Sequence, residues 1–476
     1  MAWETVVGLE VHLQLLTRSK MFCGCSAAYG DPPNRNVCPV CLGLPGALPT
    51  PNAHAVRLAV RAALALGCAV HPRSVFARKN YFYPDLPKGY QISQFEEPLA
   101  TGGALDIVSP ERGAVRVGIT RLHIEEDAGK SFHDRVPGMT AVDFNRSGVP
   151  LIEIVSEPDL RSPAEARAYL TALKQVMRYV EVSDCNMEEG SLRVDANLSV
   201  HRPGTPFGTR TEVKNMNSFS GVERALTFEQ GRQIAAIEAG GTIEQRTMTF
   251  HAPTGEVRPM RSKEQSHDYR YFPEPDLPPL VLLPSWVDEI RAELPELPED
   301  KRQRFVRTWR ISSTEAAVVT ASAAVADHFE AFVKAVGAEQ GKDVWNWEAN
   351  DVLTHSPDGE SIPASLSPAR MAELFALVKD GTVSRQASRK VLAEMLAHEG
   401  SPAAIAARLG VVQERDEGQL AAWVTDALAA HPAEVARYRA GETKLMGFLV
   451  GQVMKRSGGK ADPKAAGAAL GKALAG

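Results

Sequence analysis

Thr5-Val-Val-Gly-Leu-Glu-Val-His-Leu-Gln14 is the stretch that decides how this chain begins to fold. From position 7 to position 14 the odd positions are apolar, and the even positions are glycine or polar. A period of two predicts a strand with one buried face and one open face. Glu10 and His12 are two residues apart, so their side chains project from the same face. An isolated Glu-x-His pair is more often a solvent-facing stripe, so its meaning depends on residues later in the chain.

The length and composition are those of a soluble protein with several domains. A chain of 476 residues predicts about three domains. A hydrophobic content of 44% and a charged content of 23% are typical of globular proteins. No run of eighteen apolar residues occurs, so we expect neither a membrane span nor a membrane partner. Because a strand pattern begins almost at once, we expect no leader segment and a cytoplasmic location.

Charge is unevenly distributed along the chain. The net charge of −5 argues against a protein coated with basic surface, and we expect no DNA partner. Residues 437–476, however, carry eight lysines and arginines against two acidic residues. Such a tail predicts local binding of a polyanion. The alternative is a solvated helix face with a frayed end.

Short alternating apolar runs, separated by Gly, Pro and Asn turns, fill residues 1–290. One helix interrupts them: Ser162 and Pro163 are typical of a helix start, and Glu165 predicts a capping box. This pattern predicts an α+β domain built on a mainly antiparallel sheet. Seven prolines between 273 and 298 predict a stiff boundary, and the patterns after it are Ala-rich and helical.

Four of the six cysteines form two close pairs, Cys23-x-Cys25 and Cys38-x-x-Cys41. In a cytosolic chain such clustering predicts a metal site rather than disulfides. Two pairs can close a tetrahedron of four thiolates around Zn²⁺, which leaves no open position for catalysis. We therefore predict a structural zinc site, with reduced, metal-free thiols as the alternative. A zinc knuckle would also suit a nucleic-acid module, so it does not decide the function.

Acidic residues recur on two later strands. The segment His123-Ile-Glu-Glu-Asp127 has a dense acidic end, for which surface charge is the alternative interpretation. Glu153 interrupts a run of branched apolar residues, and a carboxylate inside a central strand is costly unless it is paired or bound to metal. The predicted ligands of a shared cation are Glu10, His12, Glu153 and either Glu125 or Glu126. Ligation rich in oxygen favours Mg²⁺ or Mn²⁺, and the histidine mildly favours Mn²⁺.

No standard nucleotide-binding loop accompanies these carboxylates. Gly129-Lys130-Ser131 ends like a P-loop, but position 124, where that loop needs glycine, is Ile. Two segments, 79–94 and 266–276, mix aromatic residues with Lys or Arg, which suits base stacking and phosphate contact as well as plain loop packing. The candidate cations for ATP or an acyl phosphate are Lys79, Lys130, Arg146 and Lys214.

Long strings that match one known family occur in the same order along essentially the full length of the chain. These strings are Gly8-Leu-Glu-Val-His12, Arg78-Lys-Asn-Tyr-Phe-Tyr-Pro-Asp85, Tyr90-Gln-Ile-Ser-Gln94, Leu122-His-Ile-Glu-Glu-Asp-Ala-Gly-Lys130, Leu151-Ile-Glu-Ile-Val-Ser-Glu-Pro-Asp159, Met187-Glu-Glu-Gly-Ser-Leu-Arg193, Asp268-Tyr-Arg-Tyr-Phe-Pro-Glu-Pro-Asp276 and Met446-Gly-Phe-Leu-Val-Gly-Gln452. Through them the chain resembles the family of B subunits of bacterial aspartyl/glutamyl-tRNA(Asn/Gln) amidotransferases.

The resemblance implies a fold and a division into domains. Residues 1–292 should form a catalytic cradle related in fold to glutamine synthetase and guanido kinases, with a zinc-binding insertion at 23–41. An all-α helical domain should follow over 293–405. A small α-helical tail of the YqeY type should occupy 406–476 and contact tRNA.

The resemblance also implies a reaction, that of a carbon–nitrogen ligase with glutamine as amide donor. The substrate is Glu-tRNA(Gln), Asp-tRNA(Asn) or both; ATP phosphorylates the side-chain carboxylate, and ammonia then displaces phosphate. Phosphoryl transfer depends on cations and positioning more than on a protein nucleophile. By family analogy, the catalytic Mg²⁺ ligands are Glu10, His12, Glu126 and Glu153. Strict alternation would instead group Glu125 with His123, so the choice of Glu126 rests on the resemblance.

The implied partners are the other members of a heterotrimer and its tRNA. An amidase partner, the A subunit, would supply ammonia through a tunnel, and a small partner, the C subunit, would bridge the two larger chains. We find no Ser-Ser-Lys amidase signature in the sequence, and neither Cys68 nor Cys185 has a convincing glutaminase context. Not every family member keeps the four cysteines, so zinc should be dispensable to the chemistry.

Two other classes of function fit parts of the sequence. One is a zinc-ribbon scaffold that binds RNA and performs no chemistry. The other is a metal-dependent nuclease or phosphatase. Loss of ATP-dependent amidation with retained tRNA binding would argue against the first, and ADP release without tRNA cleavage would argue against the second.

Overall fold

The structure is a computed structural model that describes residues 2–260, 269–413 and 417–475. The chain divides into two compact units, Met1–Leu297 and Pro298–Gly476. The division falls at the end of the proline-rich segment 273–298, where the sequence predicts a boundary. The first unit ends at Leu297, and the predicted domain limit at residue 292 stays a prediction.

The first unit is an α+β domain, as predicted. In its described part the strands are β1 Glu4–Gln14, β2 Ala69–Val70, β3 Arg73–Ser74, β4 Phe76–Asn80, β5 Tyr90–Gln94, β6 Ala100–Ser109, β7 Gly113–Glu126, β8 Lys130–Val136, β9 Met139–Asp143, β10 Pro150–Ser156, β11 Leu192–His201, β12 Thr211–Lys214, β13 Thr247–His251, β14 Glu256–Pro259, β15 Phe272–Pro273 and β16 Leu280–Val281. The helices there are α1 Ala53–Ala65, α2 Pro163–Tyr179, α3 Phe219–Glu238 and α4 Pro284–Ala292.

A nine-stranded sheet forms the body of this unit, in the order β14-β13-β12-β11-β1-β10-β7-β6-β2. Neighbouring strands are antiparallel except for β12 and β13, which run parallel. The prediction of a mainly antiparallel sheet is therefore confirmed. The N-terminal strand β1 lies in the middle of the sheet, between β10 and β11.

The two faces of this sheet differ in polarity. On β1 the odd positions from Val7 to Leu13 are at most 1% exposed and join a core with residues of α1, α2 and α3. The even positions Glu10, His12 and Gln14 are only partly buried. Because side chains alternate along a strand, the apolar set covers the helix-packed face and the polar set lines the other. We call this second face the open face.

Helix α2 shows how local sequence begins an element, with one difference from the prediction. The Ser162 hydroxyl accepts a hydrogen bond from the N–H of Glu165, as a helix N-cap should. The Glu165 carboxylate, however, accepts from the N–H of Arg161 at 2.7 Å and pairs with Arg112, so the reciprocal half of the capping box is replaced. The cap therefore also joins the helix to the neighbouring loop.

Three smaller sheets lie beside the large one: β15-β4-β5, β16-β3 and the hairpin β8-β9. Strand β5 is tied to β7 of the large sheet. The Ile92 N–H donates to the Glu126 carboxylate at 3.0 Å, and the Ser93 hydroxyl donates to the Glu125 carboxylate at 2.6 Å. The β15-β4-β5 sheet thus borders the open face.

The second unit is helical in its described part. Its helices are α5 Pro298–Trp309, α6 Ser313–Val319, α7 Ala323–Val336, α8 Gly341–Trp347, α9 Pro368–Lys379, α10 Arg385–Ala397, α11 Pro402–Arg408, α12 Glu417–Ala430, α13 Pro432–Arg439, α14 Leu445–Arg456 and α15 Pro463–Ala475, with short 3₁₀ turns at Ala338–Gln340, Leu353–His355 and Ala364–Leu366 and a π turn at Glu348–Val352. The all-α prediction is confirmed for this region.

In the described residues of this unit, buried apolar side chains form two separate hydrophobic clusters. One gathers buried residues from Phe305 to Ala406 and the other from Val424 to Leu474. A division of the region into 293–405 and 406–476 stays a prediction. Within the described ranges, no single helix is long and apolar enough to cross a membrane, although the bent pair α6–α7 passes by length and composition alone.

Candidate active site

Strand register brings three polar positions together on the open face. His12 on β1 pairs with Glu153 on β10, and Glu153 pairs with His123 on β7. Directly opposite residues on adjacent strands share one face of a sheet. The Nε2 atoms of both histidines lie 3.4 Å from the Glu153 Oε2 atom. The costly carboxylate in the middle of β10 is therefore paired on both sides.

Glu125 completes this cluster from the end of β7. Its Oε1 atom lies 3.1 Å from His123 Nε2, and its carboxylate accepts from the Ser93 hydroxyl and from the Gln91 amide. One ligand atom each from His12, Glu125 and Glu153 lie within 4.8 Å of one another. One imidazole nitrogen and two carboxylates suit a divalent cation such as Mg²⁺ or Mn²⁺. We call these three residues the central cluster.

Glu126 lies outside the central cluster. Its carboxylate pairs with the Lys88 ammonium and accepts from the Ile92 N–H. Consecutive residues on a strand point to opposite faces, so Glu125 and Glu126 cannot both face His12. The grouping of Glu126 with His12 and Glu153, which rested on resemblance, differs from this arrangement, and the geometry favours the alternative, Glu125. The identity of the ligands themselves stays a prediction.

Glu10 lies on the open face, one step along β1 from His12, and has its own acidic surroundings. The Asn197 amide donates to Glu10 Oε1 at 3.1 Å. Burial raises the pKa of Glu10, and the nearby charges of Glu153, Glu212 and Asp195 raise it further. The Lys214 ammonium lies 2.5 Å from Asp195 and 2.9 Å from Glu212, which partly offsets this repulsion. A bound cation would offset more of it.

The acidic groups of the central cluster are nevertheless held ionised. Burial alone would raise the pKa of Glu153, but the charges and hydrogen bonds of His123 and His12 bring it well below its usual value. Burial likewise opposes ionisation of Glu125, and the charge of Lys79 with the hydrogen bond of His123 lowers its pKa to about 2. Negative charge is therefore available to a cation at neutral pH.

Lys79 is the predicted phosphate-binding cation whose charge acts on this cluster most directly. Burial lowers its pKa, but Glu125 and Glu153 outweigh burial and raise it above the ordinary value. Its ammonium lies 5.3 Å from the centre of the Tyr269 ring. Because the ammonium stays charged, it can face a phosphate at this edge of the open face.

A row of aromatic rings includes Tyr269, which the Lys79 ammonium contacts. Successive ring centres lie 4.2 to 6.1 Å apart in the order Tyr83, Tyr81, Tyr269, Tyr271 and Phe95. The row joins parts of the two segments predicted to mix aromatic and basic residues. Ser266, His267 and Asp268 of the second segment lie outside the described residues.

Two other predicted cations make structural contacts. The Arg146 guanidinium donates to the Ala128 carbonyl at 2.9 Å and to the Gly129 carbonyl at 2.6 Å. Lys130 is exposed at the start of β8, with its ammonium 5.0 Å from the Phe132 ring centre. A phosphate role for either residue stays a prediction.

Two residues that support the site, His123 and Lys88, are not among the predicted site residues. His123 lies between Glu125 and Glu153, and Lys88 pairs with the carboxylate of Glu126. The period of two on β7, which groups His123 with Glu125, is the sequence signal that points to this histidine. Lys88 carries no such signal, because its loop position becomes meaningful only when β5 lies beside β7.

The four predicted metal-binding cysteines converge. The Sγ atoms of Cys23, Cys25, Cys38 and Cys41 all lie within 4.8 Å of one another. Zinc–sulfur bonds of about 2.3 Å fit a thiolate tetrahedron of this size. A hydrogen bond from Cys23 lowers the pKa of Cys41 against the effect of burial, to about 4, helped by the Cys38 amide and the charge of Lys20. The donor set fits a closed structural zinc site.

Comparison with known proteins covers both units. The family model described as GatB/GatE catalytic domain matches residues 5–288, and the one described as GatB domain matches residues 327–474. Curated proteins named as the B subunit of aspartyl/glutamyl-tRNA(Asn/Gln) amidotransferase align along the whole chain. That of Halorhodospira halophila is 50% identical and covers 100% of both chains, and that of Moorella thermoacetica is 51% identical over 97% of this chain and 98% of its own.

A third relative, from Alkalilimnicola ehrlichii, carries the same name and is 50% identical over 97% of each chain. Identity of this order over the full length implies the same fold. The catalytic-domain model alone matches more than half of the sequence. The chain therefore belongs to the family of aspartyl/glutamyl-tRNA(Asn/Gln) amidotransferase B subunits.

Proposed function

We propose that this chain catalyses ATP-dependent amidation of Glu-tRNA(Gln), Asp-tRNA(Asn) or both, as the kinase and transamidase component of its complex. Attack by ammonia on a free carboxylate is unfavourable, so the side-chain carboxylate of the esterified amino acid is first phosphorylated. Ammonia then displaces phosphate and leaves the amide. The observation that carries the proposal is the convergence of His12, Glu125 and Glu153 on the open face.

The central cluster fits a divalent cation, which we propose to be Mg²⁺, with Mn²⁺ as a substitute. A cation held there would neutralise charge on the transferring phosphoryl group and so lower the barrier to its transfer. His123 and Ser93 orient the carboxylates that hold it. Glu10 lies beside the cluster among acidic neighbours, and we propose that it contributes to cation binding from that side.

Cationic side chains around the cluster would hold the phosphates. Lys79 and Lys214 are the best candidates, because each is a charged ammonium next to open-face carboxylates. Arg121 lies 3.8 Å from Glu153 and adds a third positive group. These residues bind and orient, and the proton released by attacking ammonia passes to a carboxylate or to solvent.

Ammonia and tRNA come from partners in this proposal. The amidase partner would hydrolyse glutamine and deliver ammonia, and the small third chain of the complex would join the two larger ones. Residues 437–476 carry a strong excess of positive charge and would bind the tRNA backbone. We place the assembled enzyme in the cytoplasm, where charged tRNA is made. Zinc at the four cysteines would serve structure alone.

The test is an amidation assay on the complex reconstituted from this chain, the amidase and the small third chain. Glu-tRNA(Gln) and Asp-tRNA(Asn) are supplied separately with ATP, glutamine and Mg²⁺. We expect amidated tRNA and a matching release of ADP and phosphate, with ammonium chloride able to replace glutamine. No amidation of either substrate would reject the proposal, and cleaved tRNA without ADP release would favour a nuclease.

A further inference from the structure

One buried cation in the first unit is not explained by the proposed chemistry. The Lys20 side chain is fully buried, with 0% of its surface exposed. Its ammonium donates to the Asn36 carbonyl at 2.6 Å and to the Phe144 carbonyl at 3.2 Å, and it lies 3.6 Å from Cys41 Sγ. Among the described residues, no carboxylate forms an ion pair with it, and the carboxylates of Glu126 and Asp127 pair with Lys88, Arg146 and Arg193 instead.

A buried ammonium needs a negative partner, because carbonyl dipoles satisfy its hydrogen bonds without neutralising its charge. The anionic candidate among its described contacts is a thiolate at Cys41. Four thiolates around Zn²⁺ carry two excess negative charges, and these too are costly inside a protein. The Lys20 ammonium and the zinc–thiolate cluster would therefore each offset the buried charge of the other.

Lys20 also lies where two chain segments meet. One is the cysteine loop, residues 36–41, and the other is the turn formed by residues 144–148. The Asn36 N–H donates to Asn145 Oδ1 at 2.8 Å, and the Met21 N–H donates to the Gly148 carbonyl at 2.7 Å. Gly148 in turn donates its N–H to the Asp127 carbonyl, directly after the acidic end of β7.

We infer that Lys20 is the buried counter-cation of the four-cysteine metal site and that it joins this site to the 144–148 turn. This inference rests on the proposed zinc at the four cysteines. Outer-shell partners of metal ligands contribute about 10- to 100-fold to metal affinity. Removing the charge at Lys20 should therefore weaken zinc binding by that order without removing any ligand.

The experiment measures zinc content and zinc affinity of the full-length chain by competition with a chromogenic chelator. The variants are Lys20→Met and Lys20→Gln, and the matched control is Arg18→Met, which removes an exposed positive charge from the same segment. We expect both Lys20 variants to lose zinc about 10- to 100-fold more readily, and the control to match the wild type. Equal zinc affinity in the Lys20 variants and the wild type would overturn the inference.

A second measurement needs no variant and covers the case in which the Lys20 variants fail to fold. Hydrogen exchange of the wild-type chain is compared before and after zinc is removed with a chelator. Loss of the metal should speed exchange at the Asn36 amide, which joins the cysteine loop to the turn, and at the Met21 amide, which donates to the Gly148 carbonyl. Unchanged exchange there would overturn the link to the turn. A wild-type chain that holds no zinc would reject the zinc proposal itself, and the inference with it.

Discussion

Replacing Glu153 by glutamine removes one negative charge from the central cluster and keeps the size of the side chain. Glu153 is only 6% exposed and lies 3.4 Å from two histidine nitrogens. A unit charge pair at this distance is worth about 5 kcal/mol at an effective dielectric of about 20. A bound cation would interact with the same carboxylate, and we take about 3 kcal/mol as the loss of transition-state stabilisation when that charge is removed, or about a hundredfold in kcat.

The assay is single-turnover amidation of Glu-tRNA(Gln) by the complete complex at saturating ATP, with tRNA affinity measured in parallel. We expect the Glu153→Gln complex to bind tRNA as the wild type does and to amidate it about a hundredfold more slowly. The matched control is Glu157→Gln, a few residues along the chain, where the carboxylate is exposed and accepts from the Thr120 hydroxyl. It should amidate at the wild-type rate.

Amidation by Glu153→Gln at the wild-type rate would refute the reasoning, because it would remove the central cluster from the chemistry. Loss of tRNA binding together with a much lower melting temperature would also count against it, since Glu153 would then be a structural residue. Both variants lose one negative charge, so the ratio of their amidation rates reports the effect of where that charge lies and not of the change in net charge.

Three further predictions follow from other contacts. Glu125→Gln should raise the Mg²⁺ concentration needed for half-maximal amidation about tenfold. Glu126→Gln should mainly lower the melting temperature, because it breaks the buried ion pair with Lys88. Equal Mg²⁺ requirements in the two variants would contradict this prediction. Deleting 406–476 should weaken tRNA binding and flatten its salt dependence while leaving the first unit folded, as filter binding at two salt concentrations and circular dichroism would report. Burial lowers the pKa of His328, but its hydrogen bond to Glu348 outweighs burial and raises the pKa. The pair therefore stabilises the fold fully below about pH 6.5 and less as pH rises through the raised pKa. Between about pH 6.5 and 8.5, the melting temperature of the wild type should fall more than that of His328→Gln.

The sequence was sufficient to predict the buried and open faces of β1. Alternation from Val7 to Gln14 is a local property, and the core-facing set matches it. Register is not local. His12 lies opposite Glu153 because β10 pairs with β1 at one particular offset, and no periodicity within either strand gives that offset.

The choice between Glu125 and Glu126 shows where resemblance and physics can differ. Alternation groups Glu125 with His123, and the structure has that grouping. The resemblance selected Glu126, whose carboxylate instead faces Lys88. The geometry favours Glu125, and which of the two carboxylates binds a cation stays a prediction.

Lys20 could not have been identified from sequence. Lysine in a polar turn is ordinarily exposed, and its local neighbours Thr17, Arg18 and Ser19 give no hint of burial. Its burial depends on Phe144, which lies 124 positions away in the chain. Contacts of that range are set by the complete fold rather than by local pattern.

The central location of β1 has a consequence for the order of synthesis. This strand leaves the ribosome well before its two sheet partners, so both of its edges are unpaired until β10 has been made, and one edge stays unpaired until β11 follows. Non-local pairing of this kind is slow. The cluster proposed to bind the cation can form only after β10 has been made, and until β11 follows the growing chain must keep the remaining edge of a hydrophobic strand from pairing elsewhere.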